Sequence, residues 1–275
     1  MRWFARRRLY AGLATLIVAV ALGLMIASSS YHLYRSEWIS GWALLGLMIF
    51  LTGYNARKKV PSISIGRSRT WLQLHLYVGY LTIFLFVAHV GLIWPRGVLE
   101  ITITVLYLCV AASGLFGIFI TRAVPSRLAT RGEEILFERI PFFRGRLQKR
   151  ARELTLQANE ANVDSAVPAF YAGKLSDFFD RPRHFWLHLV QSNRPRHALL
   201  AGLGDLDRYL NDDEREIVGE LTDIVKKKDD LDYHHALQAT LKYWLFSHIV
   251  ATYSLMILVV VHVILVHLFS GGIRG

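Results

Sequence analysis

The stretch Leu241–Phe269, LKYWLFSHIVATYSLMILVVVHVILVHLF, decides how the rest of the chain is read. It is too long and too apolar for a soluble protein, and it suits a helix that crosses a bilayer. Two histidines, His248 and His262, interrupt it fourteen residues apart. A second apolar run, Trp71 to Trp94, carries His75 and His89 at the same interval. Fourteen residues of α-helix return to nearly the same face about 21 Å further along the axis. Histidine in a bilayer core is costly and marks function. One such residue is explained by an interhelical hydrogen bond, but two pairs at equal spacing are not. Neutral imidazole is a good axial ligand for iron, and two of them saturate it, which leaves an electron carrier. The spacing therefore predicts two b-type haems stacked across a membrane, with His75, His89, His248 and His262 as iron ligands.

Composition agrees with a membrane chain that has a polar insertion. Of the 275 residues, 53% are hydrophobic and only 19% are charged, against roughly 25% in soluble domains. The net charge of +11 raises nucleic acid as a partner. Between Arg122 and Asp232, however, nineteen Lys/Arg balance nineteen Asp/Glu. The excess lies at the ends of the apolar runs, where it sets topology, and nucleic acid is excluded. The single cysteine, Cys109, rules out an intrachain disulfide, a CxxCH haem attachment and a cysteine-ligated iron–sulfur cluster. Inside an apolar run it reads as a buried small residue.

Five runs qualify as spans: residues 9–29, 38–54, 71–94, 98–120 and 241–269. The predicted fold is all-α, an integral membrane bundle of five transmembrane helices. A mostly helical cytoplasmic insertion precedes the last of them. The domains are 1–121, holding helices one to four; 122–240, the insertion; and 241–275, the fifth helix and a short tail. The opening MRWFARRR resembles the start of a signal peptide, but the apolar run after it is long enough to span and reads as an uncleaved anchor. With the N-terminus cytoplasmic and the insertion left aside, ten Lys/Arg fall inside and three outside, as the positive-inside rule requires. Helices three and five then run the same way. This puts His75 and His248 near the cytoplasmic side and His89 and His262 near the other, with the C-terminus outside.

Supporting residues follow the same logic. Gly79, one turn after His75, and Gly91, beside His89, leave room for a porphyrin; Gly114 and Gly117 offer either that or simple helix packing. Arg67 and Arg69, just before helix three, suit haem propionates or serve as positive-inside anchors. Trp71, Trp94 and Trp244 fit an interfacial belt. In the insertion, an amphipathic helix is expected over 143–161, with Leu147, Leu154 and Leu156, and an acidic helix from Asp212 to about Lys228. Its charge is basic up to Arg196 and acidic afterwards, which fits a docking face or an ordinary solvated surface. His184 and His188 have metal-compatible i,i+4 spacing but no evident third ligand, and read as partly buried surface residues. His234 and His235 suit a headgroup or domain contact; His32 and His197 read as loop residues. There is no GxGxxG fingerprint, no phosphate loop and no repeat.

On His75/His89 and His248/His262, with helix four between them, the chain resembles bacterial di-haem cytochrome b membrane subunits of quinone-linked redox complexes. The resemblance covers helices three to five. It implies residence in the bacterial inner membrane and electron transfer between the quinone pool and redox partners, c-type cytochromes or iron–sulfur subunits. A quinone would be a further ligand. His267, the best rival to the paired histidines as an iron ligand, lies nineteen residues after His248, about a quarter turn off their face and at the aqueous boundary, and reads as interfacial, near a quinone or proton site. Transmembrane ferric and oxygen reductases share the two-helix plan. An alternative is such a reductase fed by a separate cytoplasmic flavoprotein, since this chain carries no flavin or nicotinamide fingerprint. A histidine-lined metal transporter fits less well, because the only acids outside the insertion are Glu37 and Glu100, both near span ends.

Overall fold

A computed structural model of the chain describes residues 2–31, 36–59, 68–91, 94–131 and 135–270. All regular structure among these residues is helical. Four long helices come first: α1 (Arg2–Tyr31), α2 (Ser36–Lys59), α3 (Ser68–Val90) and α4 (Val98–Leu128). Shorter ones follow: α5 (Ile140–Ala161), α6 (Ala166–Phe170), α7 (Ser176–Asp180), α8 (Phe185–Leu189) and α9 (Arg194–Leu206). The last, α10, runs unbroken from Asp212 to Ser270, 59 residues. Four of the described helices are long and apolar enough to cross a membrane: α1, α3, α4 and α10. The run over 38–54 forms helix α2 but is not among those four.

Two departures from the expected elements have local causes. The acidic helix at Asp212 and the last span are one helix, because no proline and no glycine lies between Lys228 and Ser270 to break it. Its start is set by a capping box: the Asn211 side chain accepts from the Glu214 amide at 2.8 Å, and Glu214 returns a bond to the Asn211 amide at 2.9 Å. Helix α3 ends at Val90, four residues short of the expected Trp94. Gly91 takes φ +73 and its amide bonds back to Val87 at 2.9 Å, the left-handed stop that glycine makes without strain. Gly91 is therefore a helix terminator, with a role independent of any porphyrin.

The chain divides into two compact units, Met1–Gly117 with Leu245–Gly275, and Ile118–Trp244. In the first, Leu44 and Met48 of α2 pack with Leu85 and Phe86 of α3, Tyr107 of α4 and Leu255 of α10. The Phe86 and Tyr107 rings stack at 4.0 Å. Outward faces stay apolar: α1 exposes Leu13, Leu16, Ile17, Val20 and Leu24, and α4 exposes Val105, Leu108, Leu115 and Phe119. Cys109 belongs to that outward stripe of α4 and is exposed rather than buried. Two steps along, Tyr107 took the inward position.

The second unit has a conventional core. Ala151, Leu154 and Ala158 of α5 meet Tyr171, Leu175, Phe178 and Phe179, and close on Leu221 and Val225 of α10. Helix α5 begins three residues before its expected start, with Pro141 in its first turn. Leu147 and Leu154 face this core, but Leu156 is exposed, because it sits two residues from Leu154 on the opposite side of the helix. A second cluster joins Ile120 and Val124 of α4 to Tyr233 and Leu237 of α10.

Candidate functional site

The first unit forms a half-open cavity of about 480 Å³, within the range of sites that hold cofactor-sized ligands. His89 of α3 and His262 of α10 both line it, so one of the two expected histidine pairs shares a single space. Its walls are otherwise mostly apolar, with Leu44, Met48, Phe86, Val90, Leu255 and Val259. Glu37 and Glu100, the two acids outside the insertion, also line it.

The His89 ring is held by α2. Its Nδ1 lies 3.1 Å from the Glu37 backbone carbonyl and 3.1 Å from Ser40 Oγ, and that hydroxyl itself donates to the same carbonyl at 3.1 Å. A carbonyl only accepts, so Nδ1 carries the proton and Nε2 keeps its lone pair. That is the tautomer in which histidine ligates a metal, oriented by a hydrogen bond on the far nitrogen. Ser40 is buried for this purpose, at 1% exposure. Gly41 is the clearance: a Cβ there would come 2.9 Å from His89 Cε1. The imidazole thus lies close against α2 at Gly41.

His267 lines the same cavity. Its ring meets Trp38 and Trp42 edge-on, at 4.8 and 5.6 Å, and its Nδ1 donates to the Val263 carbonyl at 2.7 Å. It lies five residues, about 140° of helical turn, beyond His262. The cavity is broad enough to reach both.

His75 and His248 do not line this cavity. Both are half-buried. The His75 ring lies 5.2 Å from that of Tyr54 on α2. His248 Nδ1 is 3.2 Å from Ser113 Oγ on α4, and a Cβ on Gly114 would sit 3.8 Å from its Cε1. Gly114 is thereby the point where α4 comes close to the histidine. Gly79 has open space where a Cβ would be. Arg67 lies outside the described residues, and so does the side chain of Arg69.

The insertion holds a polar cluster that sequence reasoning missed. His188 is 2% exposed, not a surface residue, and neither ring nitrogen makes a hydrogen bond. Its Nε2 is 3.8 Å from Asp229. Burial, with Arg131, His184 and Lys228 nearby, holds its pKa down to about 4. Lys228 and Asp232, wholly buried, pair at 2.5 Å, and Lys228 also donates to the Arg181 carbonyl at 3.1 Å. Burial pushes Lys228 down and Asp232 up, against their mutual attraction. His234 bonds the Arg131 carbonyl at 2.6 Å, which makes it a contact within the unit. His197 is in helix α9, drawn in by Pro195 near the start of that helix, and is not in a loop. His32 lies outside the described residues. Among the described residues, no group of three or more His, Cys, Asp and Glu is placed to hold a metal ion.

Comparison with family models, with curated proteins and with solved structures yields no match.

Proposed function

We propose that this chain is an electron-carrying membrane subunit that holds two b-type haems, one between His89 and His262 and one between His75 and His248. The observation that carries this reading is the His89 ring, locked by Glu37 and Ser40 into the ligating tautomer at the wall of a cavity that it shares with His262. The cavity's volume and its mostly apolar walls suit a flat macrocycle. For the second pair the support is the fourteen-residue spacing and the half-buried positions on α3 and α10.

A b-type haem, when bound, supplies a one-electron iron couple. The residues of the chain define how it is used. His89 with His262, and His75 with His248, would each offer two neutral imidazoles to the iron, which would favour electron transfer over ligand chemistry at the metal. The Glu37 carbonyl and Ser40 hydroxyl raise the electron donation of His89 through its Nδ1–H. Electrons would pass between the quinone pool and a redox partner, a c-type cytochrome or an iron–sulfur subunit. The distribution of Lys and Arg supports a cytoplasmic N-terminus and an outside C-terminus, and the resemblance implies the bacterial inner membrane.

The test is a pyridine haemochrome count with oxidised and reduced spectra on the purified full-length chain in detergent. Two low-spin b haems per chain are expected, and one in His89→Ala or His262→Ala. No haem in folded protein made with haem supplied overturns the reading. Retention of both in the two variants overturns the ligand assignment.

A further inference from the structure

Helix α8 presents a face that the electron-transfer reading does not use. Trp186 and Val190, one turn apart, are 76% and 73% exposed, with Leu187 between them at 38%. A tryptophan and two aliphatics side by side are unusual on a face turned to water. The segment is not loosely held. His188 is buried behind it, Leu189 packs against the cluster of Ile120, Val124, Tyr233 and Leu237, and Arg127 donates to the Leu189 carbonyl at 2.9 Å. The backbone at each side of α8 is left-handed, with φ +60 at His184 and +58 at Gln191. Neither residue is glycine, so the shape is kept at a conformational cost.

We infer that this tip is a membrane-surface anchor, in which Trp186 and Val190 enter the interfacial layer and flanking arginines contact anionic lipid headgroups. Two independent features select this occupant. From Arg181 to His197 the chain has four arginines and no acidic residue; Arg183 and Arg196 pair with Asp177, Asp229 and Asp230, while Arg194 and Arg181, the latter 3.8 Å from Asp177, are exposed. Basic residues around an apolar tip with tryptophan match the chemistry of an anionic interface. The element on which α8 rests is also the right one. The cluster beneath it joins Ile120 and Val124 of α4 to Tyr233 and Leu237 of α10, with Leu241 and Trp244 packed against the same cluster, and both helices are long and apolar enough to span. These residues mark where each apolar run gives way to charged sequence, and interfacial tryptophans gather at that level. The anchor would tie the insertion to the surface from which its two connecting helices emerge. A protein partner on the same face is the rival outcome.

The test uses the full chain in nanodiscs of phosphatidylcholine, with and without phosphatidylglycerol. An environment-sensitive dye is attached through Val190→Cys in a Cys109→Ala background, with Val163→Cys, 84% exposed in the turn after α5, as the control. At 190 the expected result is blue-shifted emission, quenched by spin-labelled lipid and more strongly in the anionic discs; at 163 the dye stays water-like. Arg181→Gln and Arg194→Gln should each lower the ratio of docked to undocked tip about fivefold, as expected for about 1 kcal/mol per arginine at an anionic surface. Water-like, unquenched emission at 190 in both lipids overturns the anchor, and so does burial without lipid quenching, which would indicate a protein contact. Equal quenching in the two lipids overturns the headgroup assignment.

Discussion

At the residue scale, the site depends on small groups around large ones. Gly41→Ala would bring a methyl within 2.9 Å of the His89 ring, well inside van der Waals contact. On the haem reading, loss of about half the b-haem absorbance is expected, with the far pair unaffected; unchanged absorbance would count against Gly41 as the clearance. Ser40→Ala leaves the Glu37 carbonyl in place and removes only the hydroxyl. Both haems should remain, with a shifted low-spin electron paramagnetic resonance signal and a changed midpoint potential for one of them. His188 gives a prediction that needs no cofactor. Its folded pKa of about 4 lies below the ordinary value of 6.5. The unfolded state therefore binds the extra proton first as pH falls. The stability this group contributes is full above pH 6.5 and is lost between 6.5 and about 4, about 3 kcal/mol in all. His188→Leu should flatten that part of the pH profile, as read by thermal unfolding of the full chain in detergent against pH. An unchanged slope would mean that His188 does not titrate as placed.

At the scale of elements, α10 carries both the buried pair of the insertion and the histidines of the last span. Lys228 and Asp232 lie one turn apart on it, at 0% and 1% side-chain exposure. Replacing one charge leaves the other buried and unpaired, while replacing both removes the desolvation cost together with the attraction. Lys228→Met is expected to destabilise the insertion by about 3–5 kcal/mol. Lys228→Met with Asp232→Leu should recover most of that loss in chemical-denaturation midpoints. A double variant no better than the single one would show that the pair's bonds to the Arg181 carbonyl and the Arg183 amide matter more than its charges. The long helix itself was legible only in pieces. Its apolar half and its acidic start are plain in the residues, but the stretch Asp229–Thr240 mixes acids, histidines and apolar residues without a break signal. Its continuity is clear once Tyr233 and Leu237 are seen to pack on α4.

At the scale of the whole molecule, the expected topology puts the insertion in the cytoplasm and the C-terminus outside. With Cys109→Ala as background, a membrane-impermeant maleimide applied to spheroplasts should label Gly275→Cys at once and Asp164→Cys only after permeabilisation. The reverse pattern would invert the topology and, with it, the side assigned to the His89 and His262 pair.

The residues alone determined the helical class, the apolar runs, the equal histidine intervals and the neutral charge of the insertion. All of these are local or periodic properties, set by hydropathy, by 3.6-residue geometry and by charge count. Four further features were decided by tertiary structure. α2 supplies the bonds and the clearance that orient His89. His262 and His267 share one cavity. His188 is buried beside Asp229. Cys109 faces outward. Each depends on which face of one helix meets another, and residues such as Glu37 and His89, fifty-two positions apart, come together only through packing, which no local pattern encodes.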